Sequence, residues 1–242
     1  ECPMNRIVTM VLKNLFAVPG AWFKLCRYAK NVDAYPETER WQHIQYILGR
    51  AMTGGNIQLL VTGLENIPRD RGFMLYANHQ GLFDCLAIAG TCPVPLGAVL
   101  KKELVGIPFV DQVRLCTKSY PMDREDVRQS LQVIQAVTEE VKNGRNYVIF
   151  PEGTRSKNGN KMGQFHAGSF RCATKSKCPV VPAALVDTYR VLDEKGSHPV
   201  TMQLHYLTPI PYEEYAGMKP AELAALVKER IAAKIQECTQ GG

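Results

Sequence analysis

The chain has 242 residues, 45% of them hydrophobic and 21% charged, which is enough apolar material for the core of one large domain. Its 19 glycines and 15 prolines are spread without a Ser/Gly linker, a low-complexity tract or a repeat of fixed period, which excludes repeat arrays and fibrous classes. A formal net charge of +6 points to an anionic partner, either a phosphorylated substrate or a membrane surface, because no dense Lys/Arg tract with interleaved aromatics favours nucleic acid.

The first predicted element is the stretch "NRIVTMVLKNLFAVPGAWFKLCRYAKN", in which Phe16, Trp22, Phe23 and Tyr28 alternate with Lys13, Lys24, Arg27 and Lys30. Neither uncharged run reaches the roughly 18 residues that span a bilayer. Pro19-Gly20 is expected to break one helix into two arms, an amphipathic pair suited to lie in a membrane interface. The same pattern also fits a helix pair packed on its own domain.

"ETERWQHIQYILGRAM" then reads as a helix with Trp41, Ile44, Leu48 and Ala51 near one face, stopped by Gly54-Gly55. "NIQLLVTG" alternates Ile57, Leu59 and Val61 as a strand, and "GFMLYA" is a continuous apolar run typical of a strand covered on both faces. "DCLAIAG" can start a helix with Asp84 near its amino end. Downstream, "REDVRQSLQVIQAVTEEVKNG" is a helix carrying Val127, Leu131, Ile134 and Val141, "NYVIF" a buried strand, and "PEGTRS" its loop. "GSFRCATKS" predicts a helix, "PVVPAALV" a strand, and "VTMQLHYL" a strand with Val200, Met202, Leu204 and Tyr206 on one side. A last helix begins near Pro220 with Leu223, Leu226, Val227, Ile231 and Ile235 on its apolar face. Alternating strands and helices imply an α/β fold, a layered mixed β-sheet flanked by helices. The expected organisation is an N-terminal amphipathic region at 1–53 followed by an α/β domain at 54–242.

The eight cysteines form no C-x-x-C and several lie in apolar segments, as in a reducing, cytosolic protein. The five histidines lie far apart and no H-E-x-x-H occurs, so no metal is expected.

Three stretches carry candidate chemistry. In "YANHQGLFD", His79 and Asp84 are five residues apart, turned about 140° from each other on a continuous helix. They meet only across a bend, as when a strand ends at Ala77 and a helix begins near Asp84. The carboxylate would then orient the imidazole as a general base. Taken alone, the pair reads better as a helix N-cap beside a loop histidine. In "FPEGTRS", Gly153 allows close backbone approach, Thr154 and Ser156 offer hydroxyls, and Arg155 offers a fork of donors suited to phosphate. In "LKKELVGIPFVDQVRLCTKSYPMDR", Lys101, Lys102 and Arg124 bracket an apolar segment and would add cations to an anion site.

Taken together, "NHQGLFD", "KKELVGIPF…PMDR", "FPEGTRS" and "VVPAAL" resemble, in order and spacing, the four blocks of the glycerolipid acyltransferases, and within them the bacterial 1-acyl-glycerol-3-phosphate acyltransferases. The resemblance covers about Val61 to Leu185. It implies that His79 takes the proton of the sn-2 hydroxyl of lysophosphatidic acid and that Asp84 orients it. The hydroxyl would attack the thioester of acyl-CoA or acyl-acyl-carrier protein directly, giving phosphatidic acid with no cofactor and no acyl-enzyme. It further implies glycerol-phosphate binding by Arg124, Glu152, Gly153, Thr154 and Arg155, with Lys101 as an addition and Val181-Pro182 on the apolar side of the acyl site. Cys85, beside Asp84, is not required as a nucleophile. Three positions depart from the family pattern: Gly81 where serine is common, Asp111 where a small residue follows the "PF" pair, and His166 where a lysine is usual. The expected location is the cytoplasmic face of the cell membrane, peripheral or monotopic. Acyl transfer to another lysolipid, a non-catalytic lipid-binding protein and a hydrolase are the alternatives.

Overall fold

The structure is a computed structural model that describes residues 6–194 and 196–240; Cys2 and the first residue of the predicted amphipathic stretch, Asn5, lie outside the described residues. In chain order the elements are α1 (Arg6–Lys13), α2 (Val18–Lys30), α3 (Glu37–Gly54), β1 (Ile57–Thr62), β2 (Met74–Ala77), α4 (Asp84–Thr91), β3 (Gly97–Lys101), α5 (Val110–Cys116) and β4 (Tyr120–Met122). They continue as α6 (Val127–Lys142), β5 (Tyr147–Ile149), α7 (Arg171–Ser176), β6 (Val180–Val186), α8 (Tyr189–Leu192), β7 (Val200–Tyr206), α9 (Tyr212–Tyr215) and α10 (Pro220–Gln240).

The seven strands form one mixed sheet in the order β1-β7-β6-β2-β5-β3-β4. All neighbours are parallel except β6 and β7, so β6, β2, β5, β3 and β4 point one way and β7 and β1 the other. The short apolar runs of β2 and β5 have no exposed residue because helices cover both faces of the sheet. Alternation divides the central strands β2, β5 and β6 between two cores. Leu75, Ala77, Val148, Val181, Ala183 and Leu185 pack with Leu25, Trp41, Ile44, Leu48 and Ile88 of α2, α3 and α4. Met74, Tyr76, Tyr147, Ile149, Val180 and Val186 pack on the other face with Val133 and Val137 of α6, Cys172 of α7 and Leu223, Val227 and Ile231 of α10.

Pro182 lies within the central strand β6, where a missing N–H ordinarily breaks a ladder. Its carbonyl accepts from Leu207 N–H at 2.9 Å. The N and C=O of one strand residue point the same way, so the missing donor faces the β7 side, just beyond the last ladder pair at Ala183 and Tyr206. No bond to β2 is lost.

The stretch around Lys101 to Arg124, which shows no strand pattern in the sequence, holds β3, α5 and β4. Gly97 permits this: a Cβ there would stand 2.4 Å from the Tyr147 ring, so only glycine lets β3 lie against β5 at that register. The break in the N-terminal helices also differs from expectation. It falls at residues 14–17, and Pro19-Gly20 sits inside the first turn of α2, where proline's missing N–H costs no intrahelical bond. Asn14 makes the break specific, donating to Met10 O at 2.8 Å and Arg50 O at 3.0 Å.

The helices α1 and α2 pack inward through Arg6, Thr9, Leu25 and Tyr28, against α3, α5 and α8. Their outer faces expose Ile7, Leu12 and Phe23, and the break between them exposes Leu15 and Phe16, with Phe16 99% exposed. Among the described residues no helix is long and apolar enough to cross a membrane.

Candidate active site

In an open α/β sheet, the loops at the carboxyl ends of parallel strands gather side chains from distant parts of the chain. Here β6, β2 and β5 are adjacent and parallel, so the loop after β2 lies between the loops after β5 and β6. That middle loop is Asn78 to Phe83. Asn78 starts it by imitating a strand residue: its Nδ2 donates to Leu185 O at 2.9 Å and its Oδ1 accepts from Leu185 N–H at 2.8 Å. The loop therefore leaves the sheet at a fixed point.

Asp84 begins α4 but does not cap it; its carboxylate turns back into the loop. Oδ2 lies 2.7 Å from His79 Nδ1 and accepts from Gln80 N–H at 2.6 Å and Gly81 N–H at 3.0 Å. Asp84 is fully buried, whereas the His79 side chain keeps 23% of its surface. The imidazole lies against Phe150, ring centroids 4.4 Å apart and 28° from parallel. With Nδ1 turned to the carboxylate, Nε2 has no protein partner among the described residues. The bend required by the H-x-x-x-x-D spacing is thus present.

The loop after β5 grips this histidine from both sides. Glu152, 4% exposed, accepts His79 N–H on Oε1 at 2.7 Å and Gly163 N–H on Oε2 at 2.6 Å. Burial pushes its carboxyl above the usual range, against the pull of those two backbone donors. Ser156 N–H donates to His79 O at 2.8 Å. Expected to touch glycerol phosphate, Glu152 instead has both oxygens committed to backbone: it joins two loops.

Gly153 has φ +72°, a conformation that suits glycine. A Cβ there would lie 3.4 Å from His166 Cδ2 and 3.8 Å from Arg124 Cζ, so an imidazole and a guanidinium meet over this one residue. Burial holds the Arg124 guanidinium below its ordinary pKa, and it makes no hydrogen bond or ion pair among the described residues. His166 therefore stands beside Arg124, at the position where the family pattern has a lysine.

Other predicted residues are placed differently. Arg155 Nη1 bonds Asp193 Oδ1 at 2.8 Å, towards α8. Lys101, at the carboxyl end of β3, pairs with Glu103 at 3.1 Å, and Thr154 is exposed. Val181 and Pro182 are interior sheet residues with no surface to offer a ligand. Exposed apolar side chains in the segments after β2 and β3 are Leu82, Val105 and Ile107.

The departures have local reasons. A Cβ on Gly81 would meet Tyr189 Cα at 2.7 Å and Asp193 Oδ2 at 2.9 Å, so α8 occupies the space of a serine side chain. Asp111 is held by Arg114 Nε at 2.6 Å. Cys85 is a poor nucleophile, because burial and then the Asp84 charge push its thiol up to about 11. The involvement of Asp193 and Tyr189 has no sequence signal, since neither falls in a motif, while Phe150 opens the "FPEGTRS" block without any sign that it packs on His79.

Comparison with known proteins identifies the family. Residues 58–186, more than half of the chain, match the Acyltransferase family. The chain is 25% identical over 182 residues to the 1-acyl-sn-glycerol-3-phosphate acyltransferase of Borreliella burgdorferi, covering 74% of this chain and 72% of that one. It is 28% identical to the Saccharomyces cerevisiae protein of the same name, covering 79% and 64%, and 30% identical to that of Escherichia coli, covering 66% of each. The matched stretch is thus just under two thirds of the yeast and Escherichia coli proteins. The crystal structure of the 1-acyl-sn-glycerophosphate acyltransferase from Thermotoga maritima superimposes with a TM-score of 0.79 at 27% identity, covering 97% of this chain and 96% of that one. With the catalytic-type blocks on one sheet end and the family match running through them, this chain belongs to the acyltransferase family.

Proposed function

We propose that the chain transfers a fatty acyl group from an acyl thioester, acyl-CoA or acyl-acyl-carrier protein, to the sn-2 hydroxyl of 1-acyl-glycerol 3-phosphate. The observation that carries this reading is the His79 imidazole, tied through Nδ1 to a buried carboxylate and without a partner at Nε2 among the described residues, on the same sheet end as the Arg124 guanidinium over Gly153. Nε2 takes the hydroxyl proton as the oxygen attacks the thioester carbonyl. The tetrahedral intermediate collapses with cleavage of the C–S bond, and the departing thiolate recovers the proton from His79. Asp84 keeps the ring in the tautomer with Nδ1 protonated and stabilises the imidazolium. The acceptor phosphate is held by Arg124 and Arg155, with Gly153 letting the backbone approach. His166 adds a titratable donor where a permanent cation is usual.

A lysophospholipid resides in a bilayer and the thioester arrives from the aqueous side. The exposed face of α1 and α2 supports a position at the membrane surface, proposed as its cytoplasmic face. Burying Phe16 and Phe23 in the interface would contribute about 1.5–3 kcal/mol each. The acyl chain would run along Leu82, Val105 and Ile107 rather than the interior Val181 and Pro182.

Mass spectrometry of products from both thioester donors offered with a lysolipid panel tests the reaction. Phosphatidic acid from lysophosphatidic acid is expected, lost in H79A and D84N with the fold retained. Acyl transfer only to other lysolipids, or fatty acid released without an acceptor, would overturn the assignment. Co-sedimentation with anionic vesicles, reduced in an F16S/F23S variant, tests the membrane reading; unchanged sedimentation would sink it.

A further inference from the structure

We propose that Thr188 is a positioning residue for the acyl transfer, acting through Asp84; this rests on the His79 reading above. The three donors to Asp84 Oδ2 all come from its own loop: His79 Nδ1, Gln80 N–H and Gly81 N–H. They fix Oδ2 and leave Oδ1, the second oxygen of the carboxylate, with no donor from that loop. The other oxygen, Oδ1, receives one donor, the hydroxyl of Thr188 at 2.5 Å, from 104 residues away. With Oδ1 held as well, the carboxylate is braced by a second loop against the tilts and shifts that would change the direction in which the imidazole is aimed.

The hydroxyl has one proton and two acceptors within reach, Asp84 Oδ1 at 2.5 Å and Gln80 Oε1 at 3.0 Å. The proton goes to the nearer, charged oxygen, since charge-assisted bonds are the stronger. Gln80 Oε1 is served instead by Thr188 N–H at 3.2 Å. Thr188 is fully buried, so no bulk water competes for Oδ1. Its own place is fixed by a chain of amides: Gln80 Nε2 donates to Asn160 Oδ1 at 2.8 Å, Asn160 Nδ2 to Asp187 Oδ1 at 2.8 Å, and Asp187 N–H to Asn160 Oδ1 at 2.9 Å. The loops after β2, β5 and β6 are thereby locked together, with Thr188 carrying the network onto Asp84 Oδ1.

The decisive comparison is T188S against T188A, which differ by a single oxygen, with H79A alongside. T188S is expected to keep kcat, whereas T188A loses about tenfold or more in kcat with KM little changed, the effect of one lost charge-assisted hydrogen bond. The Nδ1–H proton of His79, followed by NMR, should shift or broaden in T188A and remain in T188S. Equal kcat and an unmoved resonance in folded T188A overturn the proposal while H79A remains inactive. Turnover by H79A removes the dyad reading and this assignment with it. Should T188A not fold, T188V takes its place; failure of both to fold makes Thr188 a folding residue and overturns the assignment.

Discussion

Gly81→Ser restores the residue common at this position in the family and is expected to harm this protein. The new Cβ would stand 2.7 Å from Tyr189 Cα and 2.9 Å from Asp193 Oδ2, against an unstrained carbon contact of about 3.5–4.0 Å. The obstacle at Tyr189 is backbone, so no rotamer change relieves it; α8 must move by about 1 Å. Overpacking of this kind costs about 1–3 kcal/mol. For a chain of this size, about 2 kcal/mol corresponds to a fall in Tm of about 4–8 °C. Because Tyr189 follows Thr188 directly, and Asp193 holds Arg155, the same shift should lower kcat. Gly217→Ser is the control, since nothing lies within 4 Å of a Cβ there, and it should stay within about 0.5 kcal/mol of the parent. Thermal unfolding by circular dichroism together with acyl-transfer kinetics makes the comparison. If G81S melts with G217S and turns over normally, α8 does not crowd this loop and the packing argument is wrong.

Glu152→Gln keeps one acceptor but sets an amide N–H2 against a backbone N–H, losing a charge-assisted bond worth about 1.5–3 kcal/mol; denaturant unfolding should fall by about 2 kcal/mol and turnover with it, and an unchanged midpoint would refute the bridging role. Burial pushes the Glu140 carboxyl up, but the Tyr120 and Tyr147 hydroxyls and the Arg145 guanidinium outweigh it, holding its pKa below the ordinary 4.5. A carboxylate depressed in this way contributes stability above its unfolded pKa and loses it as pH falls through the folded one. E140Q should therefore be less stable by roughly 2 kcal/mol at neutral pH, the difference closing in acid below pH 4.5; a gap that persists in acid would point to packing instead. Asp193→Asn frees Arg155 from its 2.8 Å partner, and KM for a phosphate-bearing acceptor should fall by up to about fivefold, the worth of a half-exposed ion pair. A KM that rises would mean that Asp193 orients Arg155 rather than competing for it.

Where a signal is local, the sequence determined the outcome. The apolar runs of β2 and β5, the alternation of β7 and the periodic face of α10 each needed only the pleat or the helical turn to be read. The bend between His79 and Asp84 was likewise legible, because helical geometry alone forbids their meeting without one. Grouping the His79 and Arg155 blocks at one end of a sheet followed once each was placed after a strand, whereas no strand was legible ahead of Lys101. The order β6-β2-β5, however, is not written in any one segment, and that order sets Glu152 on the His79 backbone across 73 residues and Thr188 on Asp84 across 104. Residue type gave Glu152 a charge but could not say that two backbone donors would use it. The same holds for Arg155, whose guanidinium suits phosphate in any setting yet meets Asp193 because α8 folds over the loop. Periodicity is a property of consecutive residues, while a hydrogen-bond partner is a property of which strands lie side by side. Only the tertiary structure decides that.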